Sequence, residues 1–128
     1  MKKEGTTFRP EGFPKSKNGE SQFLQLEHKR AFVIVLKGEN RGREYEIINN
    51  PSVLGREEKV DIYLKGNTIS RRHASIGFEE DKFYIKDLDS TNGTKINGKF
   101  IKTGTKSTLN HRDRIELGDV EVQFLKSS

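Results

Sequence analysis

From Ala31 onward, apolar residues fall at every second position in short runs, and a turn signal follows each run. In REYEII, Tyr45 and Ile47 alternate with Glu44 and Glu46. In ASIGFEE, Ala74, Ile76 and Phe78 alternate with Ser75, Gly77 and Glu79, and in VEVQFL, Val120, Val122 and Phe124 oppose Glu121 and Gln123. KFYIKDL and DRIELG repeat the pattern. A period of two sends successive side chains to opposite faces of an extended chain, so each run offers one face to a core and one to water. The continuous run AFVIVLKG, closed by a glycine, predicts a strand buried on both faces. Turn-forming clusters (GENRG, NNPS, KGN, EEDK, STNG, NGK and LGD) separate the runs. With many short strands and no convincing helical period, the expected fold is all-β, a sandwich of two antiparallel sheets.

The chain has 128 residues, 30% hydrophobic and 34% charged, which suits one domain with a modest core and some length outside it. That extra length is expected in residues 1–30, where Gly5, Pro10, Gly12, Pro14 and Gly19 interrupt isolated apolar residues without a sustained period. The expected organisation is a flexible leader over 1–30 and a folded domain over 31–126; the QFLQLEH segment of the leader could form a short helix or an extra strand. There is no cysteine, which removes disulfides, thiolate nucleophiles and cysteine-bound zinc and suits a reducing compartment. No apolar run approaches the roughly 20 residues that span a bilayer, and no signal segment follows the lysine-rich start, so a soluble cytoplasmic protein without membrane partners is expected.

The formal charge is +5, and its distribution matters more than its size. Residues 1–30 hold seven Lys/Arg against four Glu, net +3, whereas 31–128 hold 17 basic and 15 acidic residues, net +2. A protein that neutralises many phosphates needs a clustered surplus on its folded part. The alternative reading, a basic β module using Arg41, Arg43, Arg112, Arg114 and the lysine-bearing tail, with Tyr63 or Phe100 for stacking, is therefore the weaker one, and no nucleic-acid partner is expected.

Three strand-end loops concentrate side-chain donors: LGREE, NTISRRH and DLDSTNGT. Arg56 and Arg71 carry planar guanidinium forks suited to phosphate oxygens. Ser70 and Thr91 each offer a hydroxyl, and Asn92 offers an amide donor and acceptor that can hold an extended peptide backbone. The set is rich in donors and poor in acceptors, which describes an anion receptor. SRRH lacks the strained G-x-S-x-G turn and an assigned acid, so no catalytic residue is expected. Asp87, Asp89 and Ser90 are expected to order their own loop. His28, His73 and His111 stand in unrelated contexts, so neither a metal nor another cofactor is expected.

Gly55-Arg56, then Ser70-Arg71-Arg72-His73, then Ser90-Thr91-Asn92-Gly93-Thr94 resemble, in order and spacing, the GR, SxxH and NG motifs of forkhead-associated (FHA) domains. LKGENRGREYEI upstream, and Asn97-Gly98 with VEVQFL downstream, also fit; the resemblance covers roughly residues 31–126. It implies a phosphothreonine-binding sandwich of about eleven strands, of the kind found in small bacterial FHA proteins. On that resemblance Arg56 and Ser70 hold the phosphate, Arg71 adds a second basic contact, Thr91 touches the ligand nearby and Asn92 bonds its main chain. His73 is implied to be a scaffold residue that orients Ser70, with Gly55 and Gly93 as permissive turn positions. The implied partner is a threonine-phosphorylated protein or a Ser/Thr kinase, and selectivity beyond the phosphothreonine is expected from the loop tips near Thr68 and 110–113. Thr6 and Thr7, beside Glu4, are similar to the phosphorylatable tails of small bacterial FHA regulators, and are candidate phosphosites for an intramolecular contact that blocks the domain.

Overall fold

The structure, a computed structural model, describes residues 30–127. The leader and its candidate phosphosites Thr6 and Thr7 lie outside the described residues, as does the QFLQLEH segment. Eleven strands follow one another: β1 (Ala31–Lys37), β2 (Glu44–Glu46), β3 (Ser52–Gly55), β4 (Ile62–Tyr63), β5 (Ala74–Glu79), β6 (Lys82–Asp87), β7 (Thr94–Ile96), β8 (Lys99–Phe100), β9 (Ser107–Leu109), β10 (Arg114–Leu117) and β11 (Val120–Lys126). They form a six-stranded sheet in the order β2-β1-β11-β10-β7-β8 and a five-stranded sheet in the order β4-β3-β5-β6-β9. The all-β sandwich read from the sequence is the fold observed.

Alternation builds the core between the sheets. The six-stranded sheet contributes Val33, Val35, Ile115, Leu117, Val122 and Phe124, and the five-stranded sheet contributes Leu54, Ile76, Phe83 and Ile85, all buried. The rings of Phe83 and Phe124 meet across the interface with centroids 5.3 Å apart. Burial of one such side chain stabilises by about 1.5–3 kcal/mol relative to exposure, so these pairs fix how the sheets stack.

Three details differ from the sequence expectations. In β5 Ser75 and Gly77, expected on the water-facing side, are buried as well. β1 is not buried on both faces: Ala31, Val33 and Val35 are buried, while Phe32, Ile34 and Leu36 on the outer face are half-buried. The Arg30 guanidinium, 5.2 Å from the Phe32 ring centroid, partly covers that face. The sheets are also not wholly antiparallel, because β4 pairs parallel to β3, Leu54 opposite Ile62 and Gly55 opposite Tyr63. β4 is two residues long, and residue 61 fastens the return loop through an Asp61 carboxylate that accepts the Val53 N–H at 2.7 Å.

Register decides which loops share an end. Leu54 lies opposite Ala74 and Ala74 opposite Asp87, while Leu117 lies opposite both Thr94 and Val120. The segments after β3, before β5, between β6 and β7, and between β10 and β11 therefore converge at one end of the sandwich. At the other end Arg30 and Ser127 bond each other's backbones, and the chain enters β1 there.

Candidate functional site

The converging loops are stitched together by a small set of bonds. Gly55 ends β3 so close to the next loop that a Cβ there would stand 1.9 Å from the Arg71 carbonyl oxygen; only glycine leaves room. The Arg56 N–H then donates to the Ser70 carbonyl at 3.2 Å, and the Glu57 N–H to the Arg71 carbonyl at 3.3 Å. Arg56 is exposed, yet its Nε donates to the Ile69 carbonyl at 2.8 Å. That bond anchors the guanidinium and leaves its two terminal amino groups to face solvent. Arg71 is also exposed.

Ser70 joins the second and third loops. Its Oγ accepts the Thr91 N–H at 3.0 Å, so the hydroxyl proton remains for an outside acceptor. Its own N–H donates to His73 Nδ1 at 3.0 Å. Because Nδ1 accepts, the ring proton sits on Nε2, which donates to the Gly93 carbonyl at 2.9 Å. His73 is completely buried, and burial pushes it below its ordinary value of 6.5, against the opposing pull of the Gly93 carbonyl and of Asp87. A neutral imidazole, both nitrogens occupied, thus ties the serine loop to the Asn92 loop. It has no lone pair left with which to act as a base.

Asn92 is exposed, with Nδ2 donating to the Thr68 carbonyl at 2.9 Å and Oδ1 left as an acceptor. Thr91 is exposed beside it. Gly93 has φ +81°, a conformation that favours glycine, and a Cβ there would stand 2.9 Å from Phe100 Cε1 and push that exposed ring aside.

The sequence expectation that Asp87 and Ser90 order their own loop is met, and Asp87 reaches further than that expectation, to Thr94 and Thr103. Asp87 occupies the inward position of β6 after Phe83 and Ile85 and is buried. Its carboxylate accepts from Ser90 Oγ at 2.6 Å, Ser90 N at 3.2 Å, Thr94 Oγ1 at 2.7 Å and Thr103 Oγ1 at 2.9 Å. Burial alone would raise its pKa; the hydroxyl and amide donors of Ser90, Thr94 and Thr103 outweigh burial and hold it below the ordinary 3.8. Ser90 Oγ in turn accepts the Gly93 N–H at 2.9 Å. The loop that presents Thr91 and Asn92 is therefore built around this one carboxylate. The signal was available: a charged residue at core parity in KFYIKDL, three residues ahead of a serine.

The selectivity expectation is half corrected. Thr68 does lie in the cluster, its carbonyl bonded to Asn92 and its Oγ1 accepting the Asp119 N–H at 2.7 Å. Segment 110–113 does not: it precedes β10, whose other end reaches the site, and it bonds the Asn97 turn through Asp113 at 3.0 Å. The β10–β11 turn at Gly118-Asp119 takes its place beside Thr68. The cations of the nucleic-acid alternative are dispersed, with Arg114 paired to Glu121 at 3.6 Å and Arg43 over the Tyr45 ring at 5.8 Å. Among the described residues no cluster of His, Cys, Asp or Glu could hold a metal ion, and no helix is long and apolar enough to cross a membrane.

A family model described as FHA domain matches residues 52–118. The oxoglutarate dehydrogenase inhibitor of Corynebacterium jeikeium is 32% identical over 98 residues, which cover 77% of this chain and 66% of that protein. The glycogen accumulation regulator GarA of Mycobacterium tuberculosis is 30% identical, over 74% of this chain and 57% of its own. The chain thus spans about two thirds or less of the length of these curated relatives. Among solved structures, a chain studied for phosphothreonine-dependent FHA domain interactions superposes with a TM-score of 0.67 at 27% identity, covering 75% of this chain and 95% of that one. Mycobacterium tuberculosis EmbR in complex with a low affinity phosphopeptide superposes with a TM-score of 0.67 at 30% identity, covering 75% of this chain and 24% of that one.

Proposed function

Because the chain belongs to the FHA domain family, we propose that it is a non-catalytic module that binds phosphothreonine on a partner protein in Ser/Thr kinase signalling. The observation that carries this reading is the donor set at one end of the sandwich. The terminal amino groups of Arg56, the Ser70 hydroxyl, the Arg71 guanidinium and the Thr91 hydroxyl all belong to loops tied to one another, and Asn92 beside them keeps a free acceptor. A phosphothreonine brings about −1.5 to −2 charges and three acceptor oxygens. A hydrogen bond to a charged group contributes roughly 1.5–3 kcal/mol net, so two or three such bonds dominate a small interface. Arg56 and Ser70 hold the phosphate, Arg71 adds a cation, Thr91 lies against the ligand, and Asn92 bonds its main chain through Oδ1. Gly55, His73 and Gly93 act as scaffold for these contacts.

The binding unit is residues 31–126, and the role is assigned to the cytoplasm, where ATP-dependent protein kinases work. An oriented phosphothreonine peptide library run on the wild type and on Arg56→Ala tests the pocket. Selected peptides should bind the wild type and lose most of their affinity for the variant. Equal binding by the variant would mean the phosphate sits elsewhere.

We further propose that the leader regulates this site once Thr6 or Thr7 is phosphorylated. Arg30 lies at the end of the sandwich opposite the binding loops, so the leader must cross its length. The seven residues of β11 span roughly 23 Å, whereas the 23 positions from Thr7 to Arg30 reach up to roughly 75 Å. A chain phosphorylated at Thr7 should bind an external phosphopeptide more weakly than the unmodified chain; undiminished affinity rules the contact out.

A further inference from the structure

A hollow of about 230 Å³ adjoins the Asn92 loop, walled by Thr68, Asn92, Lys95, Phe100, Glu116 and Asp119. Its most unusual element is Phe100 on the edge strand β8, 66% exposed. A ring this exposed invites a partner. The Lys95 ammonium stands 4.7 Å from that ring's centroid and 3.7 Å from the Glu116 carboxylate. Asp119 is fixed by its backbone bond to Thr68 Oγ1 and by the neighbouring Gly118, whose φ of +59° brings the turn against the Thr68 carbonyl. Among the described residues Asp119 makes no ion pair. Two carboxylates thus stand against one lysine, which pairs with Glu116 alone, and the hollow carries a net negative charge beside an exposed aromatic face.

We propose that this hollow selects a long basic side chain of the ligand, arginine or lysine, a few residues away from the phosphothreonine. This rests on the phosphothreonine reading and extends it to sequence preference. The side chain's stem lies along the Phe100 ring and its cationic head meets Asp119 and Glu116, a combination of cation–π and charge-assisted contacts. A purely apolar side chain would bury the same ring but strand the Asp119 carboxylate without water or a cation. With Arg56 and Arg71 at the phosphate and carboxylates at the hollow, the site has a polarity. A peptide carrying a phosphate and a cation at matching separation fits it in one direction only.

The test uses the full chain and phosphothreonine peptides in which one residue, walked along an otherwise alanine sequence, is arginine, leucine or alanine. At one position arginine should raise affinity several-fold over alanine and clearly over leucine, and added salt should shrink that gain. In Phe100→Ser and in Asp119→Asn the arginine-to-alanine affinity ratio should fall towards one, whatever happens to the alanine peptide itself. In Arg56→Ala every peptide should weaken while the ratio persists. No arginine gain at any position, an equal gain for leucine, or a ratio untouched by both hollow variants overturns the inference. Undiminished binding of the alanine peptide by Arg56→Ala instead overturns the phosphothreonine reading, and this inference with it.

Discussion

Asp87 and His73 are the two buried polar side chains on which the binding loops turn, and each makes its own prediction. The Asp87 carboxylate satisfies Ser90, Thr94 and Thr103 together. Asp87→Ala leaves those donors without their acceptor in a buried setting and should cost about 2–4 kcal/mol in urea unfolding. It should also weaken phosphopeptide binding, because Ser90 no longer sets the Gly93 turn. His73 gives a pH dependence. Its folded value lies below the ordinary 6.5, so the unfolded chain takes up a proton more readily than the folded one. Stability should be complete above about pH 6.5 and decline below it. The folded value of Asp87 likewise lies below its ordinary 3.8, so its contribution is present above that pH and is lost as pH falls through the folded value. Thermal melts from pH 8 to pH 3 should show both declines, and His73→Gln should remove the upper one. A flat profile between pH 7 and pH 5 would contradict the neutral, fully bonded imidazole.

At the scale of elements, parity and turn chemistry were legible and end-to-end placement was not. Alternation in β5 and β11 named the inward residues Ala74, Ile76, Phe78, Val120, Val122 and Phe124, and all are buried except Phe78, which is half-buried. It misjudged β1, since a continuous apolar run does not say whether its outer face is covered by a whole layer or by a single arginine. It could not tell that segment 110–113 and the Gly118 turn lie at opposite ends of β10, because that depends on strand order and direction. Gly93 was legible as a turn position, whereas Gly55 ends β3 without a positive φ, and the reason for it is a backbone in another loop. Gly55→Ala drives a Cβ into the Arg71 carbonyl, and something must shift. The variant should lose about 1–3 kcal/mol of stability and most of its peptide affinity together. A Gly55→Ala chain of unchanged Tm and affinity would show that the loops do not meet there as described.

At the scale of the whole molecule, a rigid sandwich holds its donors by loops that bond one another. The core is what makes the loops reproducible, and Phe124 is its largest fully buried side chain. Phe124→Ala should cost about 3–5 kcal/mol, far more than any substitution among the exposed site residues, so stability and binding can be tested separately. The motif residues of the candidate site were legible because their order and spacing are specific, and Asp87 was legible as ordering its own loop; its bond to Thr103 was not, because that residue follows in a later loop that only the fold brings back to β6. The most direct test of the central claim is a calorimetric titration of the chain with one peptide in three forms, carrying phosphothreonine, phosphoserine or unmodified threonine. The phosphothreonine form should bind measurably, the phosphoserine form more weakly and the unmodified form not at all, with Ser70→Ala and Arg56→Ala each reducing the first by at least about tenfold, which corresponds to 1.4 kcal/mol. Equal binding of the three forms, or phosphothreonine binding untouched by both substitutions, would contradict it.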